Sequence, residues 1–264
     1  MDRARRISIA FAIALLAAAA PALAVEIEEH FDRSYDLGAG GAVSVSNVNG
    51  AIIVQGWDGD QVRVEAVKKV KAGSRGSAEE AMRRIEVRVE QRGDRLEVET
   101  KLPHGGDGFF DWLFGNHSNA NVTYTVSVPR RTDVEVDTVN GKVRIRGVAG
   151  RVEADTTNGG IEMVDVRGSV KAATTNGGID VELTDVTAGA GMRFSTTNGG
   201  IHLTLPRDAR VSVDADTTNG GIHLDDLVAN VRSQSKRHLR ADVNGGGADV
   251  TLSTTNGGIR IEGR

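Results

Sequence analysis

One pattern of apolar and polar positions recurs through the second half of the chain. Six asparagines mark it: Asn140, Asn158, Asn176, Asn198, Asn219 and Asn256. Six and four positions before them stand Val134 and Val136, Val152 and Ala154, Val170 and Ala172, Met192 and Phe194, Val213 and Ala215, Val250 and Leu252. Polar residues separate each pair: Glu135, Glu153, Lys171, Arg193, Asp214 and Thr251. Alternation resumes after the marker, from Val143-Arg144-Ile145 to Ile259-Arg260-Ile261. Period two with one apolar face predicts half-buried strands. Each unit therefore reads as strand, Asn-Gly corner, strand, connector, with glycines and Pro206 in the connectors.

The corner is nearly invariant within the chain. TTNGGI occurs five times, beginning at Thr156, Thr174, Thr196, Thr217 and Thr254, and degenerate copies stand at Thr138–Val143 and Asn47–Ile52. Successive markers are 18, 18, 22, 21 and 37 residues apart. A period near 20 predicts a solenoid whose coils bury their apolar faces on one another. The fold class expected is all-β, a single-stranded parallel β-helix or β-solenoid. Strands stacked about 4.8 Å apart would align the asparagines in an amide ladder. The corner itself is expected to use the tolerance of Asn and Gly for positive φ. The long last step is either one coil with an insertion or two coils with a worn marker at Asn244. Asn-Gly is also the strongest short hairpin signal, so an antiparallel hairpin array or β-sandwich is the alternative.

The first half is less regular. Glu26–Leu37 leads in, Val43-Ser44-Val45 reaches the first Asn-Gly, and Ile52-Ile53-Val54 leaves it. Gln61–Val70, Glu86–Glu90, Arg95–Thr100 and Val122–Val128 alternate as strands. Ser77-Ala78-Glu79-Glu80 forms a capping box for one short helix with Ala78, Ala81, Met82 and Ile85 on a face. Residues 25–130 are expected to cap the solenoid and shield its open edge, and 131–264 to form the regular coils.

Before this comes a leader. Arg3, Arg5 and Arg6 precede an apolar run from Ile7 to Ala20, then Pro21 and Ala22-Leu23-Ala24. This is the layout of a secretory signal peptide cleaved after Ala24. The run is short for a bilayer span, and no later stretch is apolar enough for one, so no transmembrane anchor is expected after cleavage. The exported chain would reside in the periplasm, the outer envelope or the medium.

Composition sharpens this reading. The 264 residues include 33 glycines, 10 aromatics and no cysteine. Without cysteine there is no disulfide, thiolate metal site or thiol nucleophile. Removing the leader takes the 32 basic and 36 acidic groups to 29 and 35, a net of −6. That balance argues against nucleic acid as partner.

The leading segment with Phe31-Asp32-Arg33, the run SVSNVNGAIIVQGWDGDQVRVEAVKK, the strand YTVSVP and the T-x-N-G coils resemble a bacterial putative-adhesin family. It is a domain family of unknown function. The resemblance covers nearly all of the mature chain and implies a β-solenoid on an exported or envelope-associated protein, with no catalytic residues to carry over. The expected role is a non-catalytic structural or interaction module of the cell envelope contacting glycan or protein. The alternative is a polysaccharide-degrading β-helix enzyme.

Several constellations bear chemistry. Phe109, Phe110, Trp112 and Phe114 cluster between glycine-rich stretches, either as a partner contact or as a plug over the solenoid's end. The connector Asn230–Arg240 carries Arg232, Lys236, Arg237 and Arg240, suited to an anionic glycan or to solvent. His202 and His223 hold equivalent positions in what would be neighbouring coils. They would lie about 5 Å apart, but Arg260 in the same column is no ligand, and no metal or cofactor is expected. Asp137 and Asp155 would pair as in a glycosidase, yet no neighbouring acid with a raised pKa is expected, and no catalytic residue is assigned. In each copy one threonine points inward and its neighbour outward. The outward row Thr157, Thr175, Thr197, Thr218 and Thr255 resembles an ice-binding face in outline, next to a column of mixed charge.

Overall fold

The structure is a computed structural model and describes residues 24–38, 40–101, 119–187 and 189–264. Leader residues 1–23 and the aromatic segment with Phe109, Phe110, Trp112 and Phe114 lie outside the described residues.

The regular coils form as two stacked sheets. Strands leading into corners are β8 (Asp133–Asn140), β10 (Val152–Asn158), β12 (Val170–Asn176), β14 (Met192–Asn198) and β16 (Val211–Asn219). Strands leaving them are β9 (Val143–Arg146), β11 (Ile161–Arg167), β13 (Ile179–Asp185), β15 (Ile201–Leu205) and β17 (Ile222–Asp225). The first set joins an eleven-stranded sheet and the second a ten-stranded sheet. Neighbours within each set are parallel and pair without slip through the corner: Val152 with Val170, Thr156 with Thr174, Asn158 with Asn176, Ile161 with Ile179. A hairpin would pair Thr156 with Ile161. Here the two residues belong to different sheets, so the solenoid is the fold.

Inward residues of both sheets are buried, among them Val152, Ala154, Ile161, Met163, Phe194 and Leu203. Each contributes about 1–3 kcal/mol through burial, and only a neighbouring coil provides that burial.

Coil order departs from chain order at both ends. The last coil, β20 (Ala248–Asn256) and β21 (Ile259–Gly263), lies between earlier ones: β20 between β14 and β16, β21 between β15 and β17. The 37-residue step holds an insertion, the antiparallel hairpin β18 (Ala229–Gln234) and β19 (His238–Val243), and β19 covers the outer edge of β16. Asn244 is no worn corner. It sits in a turn at φ 48, its amide donating to the carbonyls of Arg207 and Ala209 at 2.8 and 2.9 Å.

At the other end β2 (Ala42–Asn49) and β3 (Ile52–Trp57) stack directly on β8 and β9. Outside them, β6 (Arg95–Lys101) and β7 (Asn119–Pro129) add parallel strands to the two sheets, so coils begin well before residue 131. Three antiparallel strands finish this end: β4 (Gln61–Ala72) on β7, β1 (Val25–Asp36) on β4, and β5 (Glu86–Arg92) on β6. Ion pairs such as Glu28–Lys69 and Asp32–Arg63 load the outermost pair with charge, which blunts an exposed edge. Helix α1 (Arg75–Arg83) buries Ala78 and Met82. It starts earlier than the capping box predicts: Ser74 is the N-cap and accepts from the Ser77 amide. Glu79 and Glu80 pair instead with Arg75 and Arg84.

Candidate functional site

The corners build the edge of the functional face. Each asparagine Nδ2 donates to the Oδ1 of the next coil's asparagine at 2.8 Å, giving the spatial order Asn49, Asn140, Asn158, Asn176, Asn198, Asn256, Asn219. Behind this ladder runs a second. Thr156, Thr174, Thr196, Thr254 and Thr217 are buried, and each hydroxyl donates to the corner-glycine carbonyl of the adjacent coil at 2.8–3.3 Å. Thr138 ends it unpartnered, because its neighbour Asn47 takes the Gly50 carbonyl.

Among the first corner glycines only Gly50 and Gly159 have positive φ, at 124 and 158, and the rest are needed for another reason. At Gly141, Gly177, Gly199 and Gly257 φ lies outside the left-handed region, but a Cβ would stand 1.9–2.0 Å from the neighbouring coil's carbonyl oxygen. The second glycines, such as Gly178, meet nothing closer than 3.1 Å. Stacking distance, not backbone handedness, fixes the first glycine.

Outside the corner, Thr157, Thr175, Thr197, Thr255 and Thr218 are exposed in a row beside the asparagine ladder. Next comes Asp137, Asp155, Ala173, Ser195, Ser253 and Asp216, then Glu135, Glu153, Lys171, Arg193, Thr251, Asp214 and Arg240. The face thus starts with carboxylates, passes through Lys171 and Arg193, and returns to Asp214 and Asp216, so the columns beside the threonines are of mixed charge.

Asp137 and Asp155 are paired neighbours beneath a hollow of about 380 Å³. Both carboxyls are pushed up: Asp137 by burial and then by Asp155, and Asp155 by burial and then by Glu153, with Lys171 opposing. The raised acids are thus the members of the pair themselves. Sequence spacing put the two side by side but carried no measure of their burial.

His202 and His223 are not neighbours. Both flank Arg260, because the last coil is wedged between theirs. His202 lies 3.1 Å from Glu262 and 3.8 Å from Asp180. The structure gathers a different set, Asp214, Asp216 and His238, with ligand atoms within 4.8 Å of one another. His238 Nδ1 is 2.7 Å from Asp216, and Arg240 Nε is 3.2 Å from Asp214. A cation there would compete with that guanidinium for the Asp214 carboxylate.

Of the connector's basic residues, Arg232 and Arg240 line one hollow. Arg232 pairs with Asp242 and Arg240 with Asp214, while Lys236 and Arg237 are exposed in the β18–β19 turn. The hairpin helps enclose a hollow of about 670 Å³ on the sheet face that sequence reasoning missed. Its walls combine β12, β14, β16 and the hairpin with the wedged β20, so no linear signal announces it.

An in-register parallel solenoid with a polar outer face is the class of protein these features define. The profile of the family described as Toastrack DUF4097 matches residues 115–262, more than half the chain, and the chain belongs to that family. Among solved structures it is similar to a putative cell adhesion protein from Clostridium sporogenes, at 12% identity and TM-score 0.50, over 89% of this chain and 100% of that one. A putative adhesin from Bacteroides fragilis aligns at 10% identity and TM-score 0.39, over 88% and 97% of the two chains. No curated protein matches this sequence. Among the described residues no helix is long and apolar enough to cross a membrane.

Proposed function

We propose that the protein is an exported, non-catalytic interaction module of the cell envelope that contacts glycan through the outer face of its eleven-stranded sheet. The observation carrying this is the repetition of one polar surface. Exposed threonine hydroxyls recur at the five TTNGG coils and laddered amides at all seven corners from Asn49 to Asn219, about 4.8 Å apart. A periodic array of hydroxyl and amide groups suits a polymer with a repeating hydroxylated unit, and many weak contacts add through multivalency. The adhesion named for the solved neighbours accords with such a role.

The test is binding of Val25–Arg264 to envelope fractions and to a panel of glycans. Saturable binding to envelope glycan supports the module. Binding to none of them overturns it. The paired Asp137 and Asp155, with raised carboxyls, favour a second reading as a glycan hydrolase, since they are register partners on adjacent strands, whose spacing of about 4.8 Å is near the separation a retaining enzyme uses. Hydrolysis of acidic polysaccharides, lost in Asp137→Ala or Asp155→Ala, would replace the module with that enzyme.

A further inference from the structure

The hollow of about 670 Å³ on the sheet face beside the β18–β19 hairpin holds a set of charges that do not cancel. Arg232 is held by Asp242, which also accepts from Ser212 at 3.1 Å, and Arg240 is held by Asp214. Lys171 sits 3.8 Å from Glu153. Arg193 lines the hollow between Lys171 and Thr251, and its side chain makes no ion pair or hydrogen bond with any described residue. A second group is also left over. Asp214 Oδ1 is shielded from solvent and accepts no hydrogen bond, although its sister oxygen is taken by Arg240. Asp249, in the same wall, is free of any ion pair among the described residues.

A free guanidinium in the same wall as the unpaired Asp249 carboxylate asks for a ligand that is anionic at one point and rich in hydroxyl donors elsewhere. A simple anion would satisfy Arg193 and be repelled by Asp249. A neutral sugar would satisfy Asp249 and leave Arg193 bare. We propose that this hollow binds an acidic sugar unit, a hexose carrying one carboxylate or phosphate, with Arg193 taking the anionic group and Asp249 accepting from its hydroxyls. This rests on the reading of the protein as a glycan-contact module and assigns the contact to Arg193, not to the hairpin cations.

The experiment is calorimetric titration of Val25–Arg264 with three probes: a galacturonate oligosaccharide, a mannose 6-phosphate glycan and a neutral cello-oligosaccharide. Binding of either acidic probe is expected, weakening steeply with salt, and the stronger of the two identifies the anionic group. Arg193→Gln removes a charge-assisted contact and should weaken acidic-probe binding about tenfold or more, whereas Lys236→Gln should leave it unchanged. Arg193 has no protein partner to lose, so circular dichroism and melting should match the parent protein. Equal affinity in Arg193→Gln, equal affinity for the neutral probe, or no binding of either acidic probe each overturns the proposal. Envelope-fraction binding measured in parallel separates the two ideas. If it persists while the acidic probes fail, the hollow is wrong and the module stands. If both fail, the module falls too.

Discussion

Gly177→Ala and Gly178→Ala place the same methyl group one residue apart and should behave oppositely. At 177 the new Cβ would stand 2.0 Å from the Gly159 carbonyl oxygen and 2.5 Å from its carbon. That is about 1.4 Å short of van der Waals contact, and both partners are backbone, so neither can rotate away. Separating the coils there breaks three bonds: Gly159 N–H to Asn176 O at 3.0 Å, Thr174 Oγ1 to Gly159 O at 2.9 Å, and Asn176 Nδ2 to Asn158 Oδ1 at 2.8 Å. At about 1 kcal/mol each, with about 1–3 kcal/mol of overpacking, the loss is about 4–6 kcal/mol. For a domain of this length that lowers Tm by about 10 °C or more. At 178 the Cβ would meet only the Gly200 carbonyl, at 3.5 Å. The change there should stay within about 0.5 kcal/mol. Thermal melts and urea titrations of the two purified variants read the difference directly. Equal melting temperatures would refute the claim that coil spacing is what demands the first glycine.

Asn198→Ala removes two ladder bonds and Asn219→Ala, at the end of the stack, only one, so the urea midpoint should fall about twice as far for the former. Asp137 and Asp155 bind protons more tightly folded than unfolded, so their contribution to stability falls as pH rises from the ordinary carboxylate value of 3.8 through their raised folded values. Asp155→Asn should therefore be more stable than the parent at pH 7, by up to about 1 kcal/mol, with the gain vanishing below about pH 4; a gain that persists at pH 3 would contradict the assignment. Tyr124 is fully buried, with its hydroxyl 2.7 Å from Thr100 and its pKa pushed up to about 12 by burial. Tyr124→Phe should cost about 1 kcal/mol, since Thr100 keeps its bond to Asn47. Mass spectrometry of the exported protein should find Val25 as its first residue.

The coils themselves were legible because each carries its own instructions. Alternation from Val152 to Thr156 and from Ile161 to Met163 needs no distant residue to define which side faces in. Helix α1 was legible in its apolar face but not at its start, where Ser74 and Ser77 are both plausible caps and only the chain's exit from β4 decides between them. The pairing of Asp137 with Asp155 followed from equal spacing. The raised carboxyls did not, because desolvation is a property of packed surroundings.

What the sequence determined by itself is the unit: two short strands, a side-chain-free corner and an inward threonine, repeated. What only the tertiary structure decided is the order in which units stack. Every TTNGG coil presents the same carbonyls, amides and threonine to its neighbour, so the local bonding is satisfied whichever coil comes next. The last coil therefore slots between β14 and β16 with the same 2.8 Å amide bonds found elsewhere in the ladder. That choice separates His202 from His223 and brings Thr251 and Asp249 beside Arg193. Identical edges leave the stacking order to the connectors and the end strands, and those act only once the whole solenoid is assembled.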